Sequence, residues 1–393
     1  MKILIVNTLY SPYKIGGAEI SVQALAEEFS INGEEVGVLT LGKEDSQYIL
    51  NDILIWRLKI ENNFWPFDDS NRSTINKLFW HISDVNNKMY DNKIKKIFNV
   101  FKPDILFTNN LSGFSTHVWS LAKSNNIKIV HTLRDYYLQC PKTVKFKKGK
   151  NCNKLCFDCK MLSFLKKEAS KNIDFVIGIS NFVLQDHLKE GYFKDVPNQV
   201  IYNGFKFNDE IFAKKELPQG ETIVFGYIGQ LNKSKGVELL LNIFAHFDKS
   251  DKWKLKIAGK ADENYLKKLK QINESKSVEF LGFVNSSDFF NKIDVLIVPS
   301  LWNEPFGRVV LEGIIKNKVV IGSNVGGIKE LLSENPNFLF DPNDKDDLLR
   351  VLKSVFSNRN ILQEFSFNPD KLSKFSLKNT SLQYLEVFKK TLA

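Results

Sequence analysis

Short runs of aliphatic and β-branched residues recur along the chain, separated by stretches whose apolar positions return every three or four residues. Residues 2–7 (KILIVN) are almost wholly apolar, as in a parallel strand covered on both faces. A loop bearing proline and glycine, 11–17, follows. Residues 18–30 then set Ile20, Leu25, Ala26 and Phe29 at near-helical spacing. Further strands are predicted over 35–41, 53–59, 104–108, 127–132, 175–179 and 199–202. The pattern then restarts with a strand at 222–228, a glycine loop and a helix over 236–247. Strands follow at 253–258, 278–281, 294–299, 319–321 and 338–340.

Alternation of strand and helix predicts an α/β protein with parallel sheets and right-handed crossovers. Two such series predict two Rossmann-like, doubly wound domains, residues 1–205 and 206–374. The polar stretch 205–220, with Pro218 and Gly220, is the expected linker. The last helical stretch, 375–393, has the length to pack back on the first domain. In such sheets ligands bind beyond the carboxyl ends of the strands, so the expected site is the cleft between two facing domains.

A length of 393 residues suits two or three domains. Hydrophobic residues at 43% and charged residues at 25% exclude a disordered chain and a small disulfide scaffold. No run is long and apolar enough to cross a bilayer, and the first residues lack the pattern of a signal peptide. The expectation is a soluble cytoplasmic protein. Net charge is +10. Residues 101–171 hold 14 basic and 4 acidic residues, an excess equal to that of the whole chain. A solvated lysine face or an anionic partner accounts for it equally. An anionic membrane surface at the inner face of the membrane is one such partner. Nucleic acid is disfavoured, because no helix-turn-helix, zinc-finger or RNP pattern accompanies the lysines.

Four cysteines, Cys140, Cys152, Cys156 and Cys159, lie within twenty positions. Their spacing is open to structural zinc, free thiols or a disulfide. In each case the cluster reads as a staple for a loop.

Three glycine loops follow strands: Gly16-Gly17, Gly229 and Gly326-Gly327. Each alone reads as a turn; together, at strand ends, they favour a phosphate-bearing ligand. None has the spacing of a dinucleotide or Walker loop. The segment 299–312, PSLWNEPFGRVVLE, carries Glu304 and Glu312 eight apart, with Pro305, Phe306 and Gly307 after the first. Two carboxylates so placed can hold two hydroxyl-rich groups. The main chain at Phe306, Gly307, Arg308 and Val309 is left to meet phosphate and sugar. That arrangement suits a nucleotide sugar.

At these residues the chain resembles glycosyltransferase family 4, retaining enzymes of the GT-B fold. The resemblance spans nearly the whole chain. It rests on the E-x7-E pair Glu304 and Glu312 in an EPFG setting, Gly16-Gly17, ISNF at 179–182 and YNG at 202–204. LKIAGK at 255–260, VEFLGFV at 278–284 and GGIKE at 326–330 add to it. The resemblance implies that Glu304 contacts donor-sugar hydroxyls, Glu312 holds the ribose and Lys235 neutralises the diphosphate. The segments near Gly259 and Phe283 would line the base pocket. Gln230 stands where the family usually has arginine. In HTLRDYYLQCP, Arg134 stands where related members often have histidine, and Asp135 is in place. His131 is the expected donor-sugar contact, with Arg134 as the alternative; Arg134 and Asp135 are otherwise acceptor-side or unassigned. The cysteines resemble those of a cysteine-bearing subset.

The implied activity is metal-independent hexosyl transfer, with retention, from a UDP- or GDP-sugar to a glycan or lipid-linked glycan in surface polysaccharide biosynthesis. The alternatives are a non-catalytic GT-B partner subunit and a sugar-nucleotide epimerase.

Overall fold

The computed structural model describes residues 1–13, 16–66, 73–207, 222–247 and 252–393. It divides into two compact units. The first comprises residues 1–145, 153–206 and 373–393; the second comprises 146–152 and 207–372. Most of the expected linker, from 208 on, lies outside the described residues, as does Gly220.

The first unit is built on an eight-stranded sheet. Its strands are β1 (Lys2–Val6), β2 (Glu35–Gly42), β3 (Ser46–Leu50), β4 (Ile53–Lys59), β5 (Ile105–Thr108) and β6 (Lys128–Leu133). A small hairpin, β7 (Phe146–Lys147) and β8 (Lys150–Asn151), comes next in the chain, before β9 (Phe175–Gly178) and β10 (Asn198–Val200). The sheet order is β10-β9-β6-β5-β1-β2-β4-β3. Every pairing is parallel except β3 with β4. The β3–β4 hairpin turns on Asn51 and Asp52, both at positive φ (51° and 61°), the conformation that short hairpin loops need and that Asn and Asp tolerate.

Burial explains the register. Ile3, Leu4, Ile5 and Val6 are all fully buried, so helices must cover both faces of β1. One cover is the C-terminal helix Leu377–Leu392. Its Phe388 ring lies 5.2 Å from Phe107 and 5.6 Å from Phe29. Its start is fixed by main-chain bonds: Phe205 N–H donates to Phe375 O (2.8 Å), and Leu377 N–H to Phe205 O (2.9 Å). The terminal segment therefore belongs to the first unit.

The second unit has six parallel strands: β11 (Ile223–Ile228), β12 (Trp253–Ala258), β13 (Val278–Gly282), β14 (Val295–Val298), β15 (Val319–Ser323) and β16 (Leu339–Phe340), in the order β13-β12-β11-β14-β15-β16. The order reverses at β11 and β14, which are direct neighbours. The loops leaving these two strands carry the residues singled out above.

Candidate active site

In the second unit, β14 ends at Val298 and the chain runs through Pro299 to Glu304 before the helix Arg308–Ile315. Glu304 is 9% exposed. Its Oε1 accepts hydrogen bonds from Lys235 Nζ (2.6 Å) and Ser300 Oγ (2.7 Å). Lys235 comes from the turn Lys233–Lys235 after β11, and its ammonium lies 5.1 Å from the centre of the Trp302 ring. The loop therefore joins an acid to a base 69 positions away, in a setting where charge is poorly screened.

Glycine makes this approach possible. Gly236 sits at φ 73°, and a Cβ there would lie 1.7 Å from Pro299 O. Gly326 sits at φ 50°, with its Cβ direction 2.3 Å from Glu304 O. Gly327 N–H donates to that same oxygen at 2.8 Å. A side chain at either position would push the Glu304 loop away.

Glu312 lies one and a half turns into its helix. Its Oε1 accepts from Arg308 Nε (2.9 Å) and its Oε2 from Ser286 Oγ (3.1 Å). Gly307, at φ 91°, caps that helix; Phe306 is buried and Val309 half-buried. Burial pulls the Arg308 guanidinium down, and Glu312 opposes the shift. Gly229 N–H donates to Ala258 O (3.0 Å), and Gly259 N–H to Gly282 O (2.7 Å). These bonds draw the ends of β11, β12 and β13 together. Phe283, next in the chain, is 77% exposed with Lys260 Nζ 5.1 Å from its ring centre. Gln230 is exposed, and its carbonyl accepts from Tyr227 Oη (2.8 Å). In the second unit Gly229, Gln230, Lys235, Glu304, Phe306 and Gly307 stand on the loops and turns that follow β11 and β14, and Arg308, Val309 and Glu312 on the helix that leaves the second of these loops.

Ser300, Ser286 and Asn151 escaped the sequence reading. Asn151, in β8, donates from Nδ2 to Leu301 O (2.8 Å) and accepts from Asn303 N–H at Oδ1 (2.8 Å). One side-chain amide thus holds both sides of the loop that ends in Glu304. Nothing local marks it, because its partners are 150 positions away. Asn151→Ala is expected to destabilise the second unit by about 2 kcal/mol, from two hydrogen bonds of ~1 kcal/mol each. Asn151→Asp, which keeps the acceptor but turns a carboxylate oxygen toward Leu301 O, should cost at least as much. Urea denaturation reads both.

In the first unit, Gly16 caps the helix Gly17–Ile31, and its N–H donates to Glu19 Oε2 (2.9 Å). Glu19, only 8% exposed, also escaped the sequence reading. Arg134 is buried and donates from Nε to Asn109 Oδ1 (2.7 Å) and from Nη1 to Asn203 Oδ1 (2.6 Å). Asp135 accepts from Tyr137 N–H (2.8 Å). Burial pushes its carboxyl up to about 6; the Lys166 charge opposes this and the Glu19 charge adds to it.

His131 lies in β6. It is 3% exposed. Its ring lies between Trp119 (5.0 Å) and Phe193 (6.1 Å, stacked), with Nδ1 2.9 Å from Thr108 Oγ1 on the neighbouring strand. It is a core residue of β6. Burial, with help from His187 and Arg134, pulls it down to about 3. The folded chain therefore keeps it neutral where the unfolded chain protonates it. Its stabilising share is complete above pH 6.5 and is lost as pH falls from there toward 3, by ~1.4 kcal/mol per pH unit. The stability gap between the wild type and His131→Gln should therefore narrow by about 2 kcal/mol between pH 7 and 5, as read by urea titration at the two values. A constant gap would contradict a neutral His131.

The spacing of the cysteines leaves structural zinc, free thiols or a disulfide open. No disulfide joins any of the four cysteines. Cys156 and Cys159 have their sulfurs 3.3 Å apart. A hydrogen bond from Cys159 pulls the Cys140 thiol down to about 6 despite burial. Cys152 falls in the second unit. Among the described residues no group of three or more His, Cys, Asp or Glu side chains is arranged to hold a metal ion. Cys159 meets both Cys140 and Cys156.

Comparison with known proteins agrees with this architecture. The family description "Glycosyltransferase Family 4" matches residues 15–208, and "Glycosyl transferases group 1" matches residues 208–371. A protein of the cps region of Klebsiella pneumoniae is 36% identical over 99% of this chain and 100% of its own length. An uncharacterised glycosyltransferase of Methanocaldococcus jannaschii is 26% identical over 99% and 98%. Among solved structures, sucrose-phosphate synthase from Thermosynechococcus elongatus superposes with a TM-score of 0.77 at 19% identity, covering 99% of this chain and 98% of its own. HepE from Anabaena, solved with UDP-glucose, gives 0.72 at 18% identity, over 99% and 100%.

Proposed function

The chain belongs to glycosyltransferase family 4, with the GT-B fold, and on that premise we propose that it transfers a hexose-type sugar, with retention, from a nucleotide-sugar donor. The acceptor is a glycan or lipid-linked glycan of surface polysaccharide synthesis, in keeping with the cps-region relative. The observation that carries the reading is the Lys235–Glu304–Ser300 group, held at a glycine-built junction of loops. Such a group offers an acceptor for sugar hydroxyls beside a cation for the leaving diphosphate. Glu312, with Ser286, supplies the ribose contact, and the exposed Phe283 ring offers a face for the base. That HepE binds UDP-glucose favours a uridine donor.

As the anomeric C–O bond to the diphosphate breaks, negative charge grows on the leaving group. The Lys235 ammonium and the main-chain N–H groups at Phe306–Val309 meet it without rearranging. Donors set in advance in this way are worth ~3–4 kcal/mol each in rate terms. The acceptor oxygen bonds to the same face of the sugar, and a donor phosphate oxygen takes its proton. No side chain need serve as general base.

Gln230 favours a second reading, a non-catalytic subunit, because it leaves one cation fewer beside the diphosphate. Incubating the isolated chain with UDP-, GDP- and ADP-sugars, with and without lipid-linked glycan, separates the cases. Glycan elongation with release of nucleoside diphosphate supports transfer. An altered free sugar formed without acceptor indicates an epimerase, and no turnover of any donor indicates the subunit. Gln230→Arg should tighten nucleoside diphosphate binding by about fivefold, or ~1 kcal/mol, as expected for one more exposed charge contact. Unchanged or weaker affinity by calorimetry would count against the charge argument.

A further inference from the structure

Large apolar side chains on the surface are not scattered evenly. On the helix Thr74–Ser83, Ile75, Leu78, Phe79 and Ile82 are 65, 52, 54 and 52% exposed. Their spacing of three, one and three residues puts them on one side of the helix. On the helix Phe157–Ala169, Phe157, Met161, Phe164 and Leu165 are 74, 64, 61 and 48% exposed, again along one side. The inner side of this second helix is anchored by Ser163 and Lys166, which are buried.

The two helices are neighbours within the first unit. Lys166 Nζ, 3.4 Å from the centre of the Tyr137 ring, lies 3.8 Å from the buried carboxylate of Asp84, the residue that ends the first helix. Burial, together with the charges of Lys166 and Lys142, pulls His81 of that first helix down to about 4. Lys77 and Lys160 on these helices are exposed, as are Lys154, three positions before the second helix, and Lys142, whose charge reaches His81. Against them stand Asp158 and Glu168, and Glu168 is paired with Lys171 at 2.6 Å.

We infer that these two helices form a docking surface for an anionic phospholipid bilayer. Two amphipathic helices with bulky apolar residues outward and exposed lysines on and near them suit the interface of a membrane, where apolar side chains enter the acyl boundary and cations meet headgroups. A second copy of the chain fits less well, since a two-fold contact would bring the same lysines face to face. The inference deepens the reading of a lipid-linked acceptor and rests on it for its purpose, but not for its test. It also explains the charge excess of residues 101–171 as more than solvation.

The test is sedimentation of the intact protein with vesicles of phosphatidylglycerol and phosphatidylcholine in equal parts, against vesicles of phosphatidylcholine alone. The protein should pellet with the first and much less with the second, and release should follow added salt. Phe79→Ser with Phe164→Ser should lower the partition coefficient by about tenfold. Lys154→Glu with Lys160→Glu should lower it severalfold and flatten its salt dependence. Both pairs should keep the wild-type melting temperature and nucleoside diphosphate affinity, so the donor site is read separately from the membrane. Equal pelleting of wild type and Phe79→Ser/Phe164→Ser would overturn the inference. So would no pelleting with the anionic vesicles, or a dimer in light scattering that the same substitutions dissolve.

Discussion

Replacing Glu304 by alanine should lower sugar-transfer turnover by at least about tenfold, a barrier increase of ~1.4 kcal/mol. The main chain of Glu304 is held independently of its side chain: Gly327 N–H binds its carbonyl, and Gly326 abuts it. Truncation should therefore leave the loop in place and remove only the carboxylate. Glu304→Gln tests the charge separately. It keeps the shape and an acceptor for Ser300, but not the ion pair with Lys235. If the carboxylate serves mainly to hold the lysine and the sugar hydroxyls, the glutamine variant falls between wild type and alanine. Initial-rate kinetics at saturating donor decide it, and wild-type turnover in Glu304→Ala would remove the residue from the chemistry.

Lys235→Ala should cost turnover on a similar scale, again at least about tenfold. Two effects combine. On the proposed reading the diphosphate would lose an ammonium, and Glu304, 9% exposed, loses its 2.6 Å partner. A buried charge stripped of its counter-ion is costly. The variant should therefore also unfold at lower urea than the wild type. Because the two side chains touch, the double variant Lys235→Ala/Glu304→Ala should lose less than the two single losses combined. Additive losses would mean that the contact is unrelated to catalysis.

Much of the fold was legible because buried parallel strands are written as unbroken aliphatic runs. KILIV in β1 and VLIV in β14 leave little choice of structure. β3 was missed for a physical reason: SQYIL lies at the sheet edge, is mostly exposed and mixes polar with apolar residues. The hairpin β7–β8 has strands of two residues, too short for any period to show. Glu304 and Glu312 could be singled out because their spacing and the glycine beside them are local. Asn151 could not, since only the folded loop brings its amide to Leu301 and Asn303.

The surroundings of His131 were not legible either. It stands near the end of a strand, where ligands gather, but residues there alternate between faces. Its ring turns inward, beside Thr108 in the paired strand.

The central claim is that Lys235 and the loops around Glu304 hold the diphosphate of a sugar donor. Calorimetric titration of the wild-type chain and of Lys235→Ala with UDP, GDP and ADP tests it most directly. The account predicts saturable binding of one of the three to the wild type, weakened by about tenfold or more in the variant. Binding of equal strength to both proteins, or no binding of any of them to the wild type, would contradict it.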